Sequence, residues 1–213
     1  MVDSDEIKIA LQERQERSRA ASQFSGGIFS APTLKLEDGG HAEFVGYDAL
    51  KAEARVKGIW SQDRLVPSAK AGDEAGVVLD RSPFYGESGG QVGDRGVIHA
   101  PKGTLDVLDT QWGDELLVHY VKVREGAVAV QDPVRAEVDV TRRVQVARSH
   151  TATHLLHWAL RKIVGPETAQ AGSLVDAERV RFDFSALGGL QDEQRMKVEQ
   201  LVNDRVREAD AVE

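Results

Sequence analysis

Residues 33–140 alternate short apolar segments with turns that are rich in glycine and acidic residues. Strands this short, at this spacing, are typical of a small β-barrel or β-sandwich. Apolar and polar residues alternate only in part within them, so the sequence does not assign the strand registers. The predicted strands cover residues 33–36, 42–45, 56–60, 76–79, 96–99, 104–108, 116–123 and 134–140.

Helical patterns flank this β region on both sides. Residues 5–22 predict a helix with Ser4 as its N-cap, and its apolar stripe ends after Leu11, which is typical of a linker or rim element. The chain therefore predicts an α+β fold in three parts. These parts are a linker helix over residues 1–25, a small β-barrel subdomain over residues 26–140 and an α/β subdomain over residues 141–213.

The α/β part begins with a helix whose His150 and His154 lie one turn apart on the same face. Gly165 followed by proline ends this helix. Residues 170–175 and 179–184 then predict a β-hairpin, because apolar and polar residues alternate in its second strand. A last helix over residues 192–209 completes the pattern.

The histidine helix has an apolar face and a polar face. The predicted apolar stripe consists of Ala152, Leu155, Leu156, Ala159 and Ile163. The opposite face carries His150, His154, His157 and Arg161. A preceding helix capped by Asp139 or Thr141 would, if continued, place Arg148 inside the apolar stripe. We therefore predict a break near Ser149, which is a good N-cap.

The histidine pair is compatible with a metal site, because two neutral imidazoles approach one ion from adjacent turns. A solvated polar face or a buried polar layer explains the same spacing, and histidine pairs at this spacing are common on helices. Metalloproteases carry a general-base glutamate beside the first histidine, and here that position is held by Thr151. The sequence thus argues against protease chemistry and leaves the metal and the polar-face interpretations open.

A glycine-rich loop lies within the β region. Gly89 and Gly90 leave its backbone free to approach a ligand closely. The flanking polar side chains are those of Glu87, Ser88 and Gln91. A Gly-Gly pair is more often a simple turn, because the permissive φ of glycine suits turns.

Composition limits the class of protein. The 213 residues contain no cysteine, which excludes disulfides and thiolate metal ligands and predicts a cytoplasmic protein. No apolar run approaches the length of a membrane span, and the acidic start is unlike a signal peptide. The net charge of −8 argues against non-specific nucleic-acid binding by the whole chain. Residues 142–181 nevertheless carry seven cations and three anions, a basic patch suited to phosphates.

Four runs resemble the editing domain of alanyl-tRNA synthetases and occur in the order found there. They are FYGESGGQVGD at residues 84–94, HTATHLL at 150–156, QAGS at 170–173 and RFDFS at 181–185. The resemblance extends from about Arg14 to Glu213. It implies a linker helix, a β-barrel subdomain with the Gly-Gly motif, and an incomplete α/β editing subdomain with a His-x-x-x-His helix.

The resemblance implies hydrolysis of serine or glycine wrongly esterified to alanine tRNA, because an alanine pocket cannot strongly reject an analogue that adds a hydroxyl. The parent enzyme would attach alanine to tRNA(Ala) with ATP. The implied metal ligands, for zinc, are His150 and His154. The implied catalytic residues are Gln170, Glu87 and Gln91. The implied substrate-binding residues are Ser88, Gly89, Gly90, Arg181 and Asp183. The implied partners are the acceptor end of tRNA(Ala) and the remaining domains of the parent, without a membrane.

The sequence departs from the family in three respects. The later Cys-x-x-x-His half of the zinc site is missing, so we expect an incomplete site and a weak or inactive isolated chain. Gly86 stands where the family usually has alanine, which we expect to be a small difference. No class II motifs for ATP or alanine activation occur, so the chain alone should not charge tRNA. A freestanding alanyl-tRNA editing protein and a non-catalytic tRNA-binding module are the alternatives.

We predict that the chain alone binds zinc weakly or not at all. His150 and His154 supply two ligands, whereas zinc sites in proteins generally use three or four protein ligands. His157 would have to bind from the same straight helix, which fits tetrahedral geometry poorly. Metal analysis after dialysis against a mild chelator should find far less than one zinc per chain. Stoichiometric zinc that survives this dialysis would contradict the prediction.

Overall fold

The computed structural model describes residues 41–61, 64–113, 115–186 and 188–209. The predicted helix over residues 5–22 and the predicted strand over residues 33–36 lie outside them. The described strands are β1 (Glu43–Phe44), β2 (Lys51–Ser61), β3 (Arg64–Leu65), β4 (Ser68–Lys70), β5 (Glu74–Leu79), β6 (Arg81–Ser82), β7 (Gly96–Ala100), β8 (Lys102–Gly113), β9 (Leu116–Ala129), β10 (Pro133–Val138), β11 (Gln170–Val175) and β12 (Val180–Phe184). The described helices are α1 (Val140–Ile163) and α2 (Asp192–Glu208).

Six of these strands close into an antiparallel barrel. They pair in the order β10–β7–β8–β9–β5–β2, and β10 also pairs with β2, which completes the ring. Because the ring is closed, none of its six strands is left as a sheet edge along its full length. The α+β fold is confirmed. Of the two predicted β architectures, the small barrel is the one observed, and the sandwich is not.

Apolar side chains fill the interior of the barrel, because alternate residues of each strand point inward. The buried cluster includes Val56, Ile59, Val77, Leu79, Phe84, Ile98, Leu105, Val121, Val123 and Val134. Burial of a side chain of this size contributes about 1.5–3 kcal/mol. The barrel strands therefore supply their own core.

His119 is a fully buried polar side chain on β9. In the neutral ring, Nδ1 donates to the carbonyl oxygen of Val77 at 2.9 Å, because a carbonyl can only accept. Nε2 then accepts from the Ser82 hydroxyl at 2.7 Å, and the Ser82 oxygen accepts from the backbone N–H of Phe84 at 3.1 Å. Burial lowers the pKa of His119 to about 4. The ring is thus held neutral and fully hydrogen-bonded inside the barrel.

Helix α1 runs without interruption for 24 residues, so the predicted break near Ser149 is wrong. Val146, Thr153 and Leu160 are buried along it at seven-residue intervals and therefore lie on one face. Arg148 follows Val146 by two residues and points about 200° away from it. Its side chain is exposed, so it does not interrupt the helix.

The buried stripe of α1 differs from the predicted one. Ala159 belongs to both, but Leu160 is also buried, whereas Ala152 and Leu155 are only half-buried. Helix α2 packs against this second half of α1 through Val198. The predicted last helix is therefore confirmed, and the two helices share one apolar cluster.

The predicted hairpin is confirmed as β11 and β12, which pair antiparallel. The backbone N–H of Asp176 donates to the carbonyl oxygen of Arg179 at 3.0 Å across its turn. At the start of α1, Asp139 is the N-cap, and its side chain accepts from the backbone N–H of Arg142 at 3.0 Å. Neither helix in the described part of the chain has the length and apolar character that a membrane crossing requires.

A buried ion pair between Arg143 and Asp94 joins the start of α1 to the barrel. Asp94 is 2% exposed, and Arg143 Nε donates to its two carboxylate oxygens at 3.1 and 2.9 Å. Arg143 also donates to the carbonyl oxygens of Gly46 at 3.0 Å and Pro83 at 2.9 Å. The Asp94 carboxylate accepts a further bond from the backbone N–H of Tyr85 at 2.8 Å. Removing one partner of such a pair costs about 3–5 kcal/mol.

We predict that the chain loses stability as the pH falls from about 6.5 towards 4. The unfolded chain protonates His119 at its ordinary pKa of 6.5, whereas the folded chain does so at about 4. The unfolded state therefore binds more protons within this window. Urea unfolding should show that this residue alone lowers the free energy of unfolding by about 2–3 kcal/mol between pH 7 and 4.5.

The variant His119→Gln should lack this part of the pH dependence, since an amide does not titrate. The exposed His99 serves as the matched control, and His99→Gln should retain it. An unchanged pH dependence in His119→Gln would contradict the prediction.

Candidate functional site

The Gly-Gly loop forms a tight turn between Ser88 and Gln91. The backbone N–H of Ser88 donates to the carbonyl oxygen of Gln91 at 3.1 Å, and that of Gln91 donates back at 2.9 Å. Gly89 and Gly90 lie between them at φ values of +60° and +85°. Two left-handed central residues are the signature of a type I′ turn. The loop is therefore a turn, and the turn sets the position of Gln91.

This turn lies against β11. The backbone N–H of Val175 donates to the carbonyl oxygen of Gly90 at 2.7 Å. A Cβ on Gly90 would lie 2.5 Å from the carbonyl oxygen of Ser173 and 2.6 Å from its Oγ. A Cβ on Gly89 would have nothing within 4 Å. Gly90 is thus required by its positive φ and by its close contact with Ser173. Gly89 is required by its positive φ alone.

Gln91 connects the turn to α1. Its Oε1 lies 2.5 Å from Nδ1 of His150. An amide oxygen can only accept, so Nδ1 carries the proton and the lone pair of the ring lies on Nε2. The ring of His154 stacks on that of His150, with centroids 5.1 Å apart and planes 21° from parallel. The structure therefore brings together the turn and both predicted metal ligands.

Gln170 reaches the same region from the first residue of β11. Its Nε2 donates to Oγ of Ser173 at 3.0 Å, the same atom that approaches Gly90. Ser173 thus joins Gln170 to the turn. The sequence does not single out Ser173 as a site residue, although its position in the QAGS run is a signal that could have indicated it.

The other predicted site residues lie to either side. Arg181 and Asp183 form an ion pair on β12 at 3.2 Å, and Asp183 is paired with Gly172 of β11. Within the described part of the chain, neither makes a hydrogen bond to the turn or to the histidines. The backbone of Glu87 lies on the barrel side, where its N–H donates to the carbonyl oxygen of Thr110 at 2.8 Å.

Asp109 is a second carboxylate on this barrel side. It accepts from Nε2 of Gln111 at 2.8 Å and from the backbone N–H of Thr110 at 2.9 Å. Burial raises the pKa of Asp109, and the negative charge of Glu87 raises it further. No pattern in the sequence points to Asp109, because only the pairing of β8 with the loop brings it close to Glu87.

His157 lines the same surface of α1 as His154 and Arg161, in agreement with the predicted polar face, and it is half-buried there. Its Nε2 donates to the carbonyl oxygen of Thr168 at 3.2 Å, and its ring lies 5.3 Å from that of Phe182. His157 therefore packs the second half of α1 against the hairpin. Its Nε2 is occupied by this hydrogen bond.

The described residues contain no group of three or more side chains arranged to hold a metal ion. His150 and His154 supply two nitrogen ligands, short of the number that a zinc site needs. Taken alone, these residues do not fit a complete zinc site.

Gly86 has less room than the sequence suggested. A Cβ there would lie 2.5 Å from Cδ1 of Leu117 and 2.7 Å from Nε1 of Trp112. The indole of Trp112 therefore packs where the methyl group of an alanine would lie. An alanine here therefore requires the side chains of Leu117 and Trp112 to shift, and the expectation of a small difference stays a prediction.

A family model described as tRNA synthetases class II (A) matches residues 1–142. The chain belongs to this family. It is 44% identical to the alanine–tRNA ligase of Thermus thermophilus over 207 residues, which cover 95% of this chain and 23% of that protein. The alanine–tRNA ligase of Caldicellulosiruptor saccharolyticus is 41% identical over 215 residues, covering 100% of this chain and 24% of that protein. The resemblance to alanyl-tRNA synthetases is thus confirmed, and the chain spans about a quarter of the length of these curated relatives.

We predict that Gly90→Ala destabilises the chain more than Gly89→Ala. Both changes place a Cβ in the left-handed region, at a cost of about 1–2 kcal/mol. Only Gly90→Ala also forces the turn away from the Ser173 backbone, which should add about 1 kcal/mol or more. The two free energies of unfolding, measured in urea, provide the comparison. Equal losses would show that the contact with Ser173 can relax without cost.

Proposed function

We propose that the chain is the editing region of an alanyl-tRNA synthetase and that it hydrolyses Ser-tRNA(Ala) and Gly-tRNA(Ala). The observation that carries the proposal is the convergence of three of the four runs on one surface. Gln91 contacts His150, and Ser173 contacts both Gln170 and the turn. The similarity to alanine–tRNA ligases supports tRNA(Ala) as the partner.

The wider proposal concerns the parent protein. It would attach alanine to tRNA(Ala) with ATP, act in the cytoplasm, and contribute its remaining domains as partners of this region. Residues 141–213 would form an α/β editing subdomain beside the barrel. A freestanding editing protein and a non-catalytic tRNA-binding module are the alternatives, and the second of these would bind tRNA without hydrolysing the ester.

The proposal includes a zinc ion, for which this chain would supply only some of the ligands. We propose that His150 and His154 hold it together with ligands from outside the described residues. Because the described residues do not complete a zinc site, the roles that we propose belong to this chain's own side chains. Gln91 keeps the proton of His150 on Nδ1 and so leaves Nε2 as the nitrogen with a free lone pair.

The proposed reaction adds water to the ester carbonyl carbon and breaks its bond to the ribose oxygen, which takes up a proton. Free serine and tRNA(Ala) result. Gln170 would position the aminoacyl group, because an amide both donates and accepts without adding charge. The open space beside Gly89 leaves room for a ligand against the turn. Glu87 and Gln91 would border the pocket together with Ser88, while Arg181 and Asp183 would lie at its edge.

We predict that Gln170→Ala, in a full-length synthetase, slows hydrolysis of Ser-tRNA(Ala) about tenfold and leaves alanine activation intact. The substrate would lose one positioning hydrogen bond, and such a bond contributes about 1 kcal/mol or somewhat more. Deacylation of preformed Ser-tRNA(Ala) and ATP–pyrophosphate exchange measure the two activities. The exposed Gln145 of α1 offers a matched control, and Gln145→Ala should change neither. Equal loss of both activities in Gln170→Ala would indicate a folding defect, and unchanged deacylation would refute the role of Gln170.

A further inference from the structure

The second half of α1 carries a shallow groove of about 320 Å³ that begins at His154. We name it the α1 groove. The residues lining it are His154, His157, Trp158, Arg161, Lys162 and Pro166. The side chains of Arg161 and Lys162 are exposed to solvent. The groove therefore leads away from the candidate site along the outer face of the helix.

The charge of the α1 groove is opposite to that of the chain. Arg161 and Lys162 are basic side chains, and none of the described residues that line the groove is acidic. The whole chain has a net charge of −8. Arg143 is neutralised by the buried Asp94, whereas Arg161 makes no ion pair with any residue in the described part of the chain. An arginine in this setting is suited to phosphate, which its planar fork contacts through two hydrogen bonds.

Lys162 is held in position within the groove. Its Nζ lies 4.5 Å from the centroid of the Trp158 ring, a cation–π contact. Trp158 in turn packs against the apolar cluster of Ala159 and Val198, which joins α1 to α2. A flexible lysine that is oriented in this way loses less conformational entropy when it binds an anion. The ammonium group is thus prepared for a ligand.

We infer that the α1 groove binds the phosphate backbone of an RNA strand just before its aminoacylated end. This inference rests on the proposed function, because it takes His154 to lie beside the ester. Seven residues separate His154 from Arg161, so the two are about 10 Å apart along the helix axis. That separation reaches the last phosphates of a strand whose end lies at the histidines. The strand this close to its aminoacylated end is the single-stranded 3′ end of the tRNA, which is therefore the occupant that we infer.

The test measures RNA binding by the 213-residue chain through fluorescence anisotropy. The probe is a labelled, uncharged RNA hairpin with the tRNA(Ala) acceptor stem and its single-stranded 3′ end. The double variant Arg161→Gln/Lys162→Gln should weaken binding about tenfold. It should also reduce the slope of log Kd against log salt by about 1.4, because each phosphate contact on a single strand contributes about 0.7.

The matched control is Arg64→Gln/Lys70→Gln, which removes the same two charges from exposed positions of β3 and β4. It should leave Kd within about twofold of the unchanged chain. Equal weakening by both double variants would overturn the inference, since the effect would then follow net charge alone. Equal binding of a blunt hairpin without the 3′ overhang, or no binding by the unchanged chain, would also overturn it.

Hydrolysis of Ser-tRNA(Ala) by the full-length synthetase separates this inference from the proposed function. If both are right, Arg161→Gln/Lys162→Gln raises KM about tenfold and leaves kcat unchanged, since the groove binds ground and transition states equally. Normal hydrolysis with an unchanged KM would overturn the groove and leave the function standing. If the unaltered synthetase does not hydrolyse the ester but the RNA-binding results are as expected, the proposed editing function is refuted. The inference that the α1 groove binds RNA would then still hold.

Discussion

The buried ion pair between Asp94 and Arg143 is the contact on which the arrangement of the site depends. Asp94 follows Gln91 by three residues, and Arg143 lies in the first turn of the helix that carries His150. The pair therefore sets how closely the turn and the helix approach. It is stable although buried, because the guanidinium also finds two carbonyl oxygens and the carboxylate a backbone N–H. Such full satisfaction offsets the desolvation of both charges.

The neighbouring arginine extends the same junction to the hairpin. Arg142 donates to the carbonyl oxygen of Gly93 at 3.0 Å and to Asp176 in the hairpin turn at 3.1 Å. Two consecutive arginines at one helix end thus hold the barrel loop and the hairpin to α1. These arginines keep the barrel loop, the hairpin and α1 close together. The side chains of Gln91 and Ser173 can therefore reach from one element to the next.

Charge is distributed unevenly around this junction. The three elements are connected by side chains without a carboxylate or an ammonium group: the amide of Gln91, the imidazole of His150 and the hydroxyl of Ser173. Two carboxylates, Glu87 and Asp109, lie on the barrel side, and the α1 groove beyond His154 is positive. In the proposed function this order matches the substrate, which has a cationic amino group at one end of the ester and phosphates at the other.

Elements whose signals are local along the chain could be predicted from the sequence. Short apolar segments separated by turns predicted the six barrel strands, and alternation of apolar and polar residues predicted the hairpin. The sequence also indicated Asp139, with Thr141, as a possible N-cap of α1, and Asp139 is the N-cap that the structure shows. The resemblance of four short runs to the synthetase editing domain indicated most of the residues that lie next to one another in the candidate site. The continuity of α1 could not be predicted from the sequence, because which face of a helix is buried depends on the elements that pack against it. Only the tertiary structure decided that Gln91 meets His150, 59 residues away, and that Asp109 lies beside Glu87. Contacts of this kind depend on how the barrel closes and where the helix is anchored, and no pattern along the chain records either.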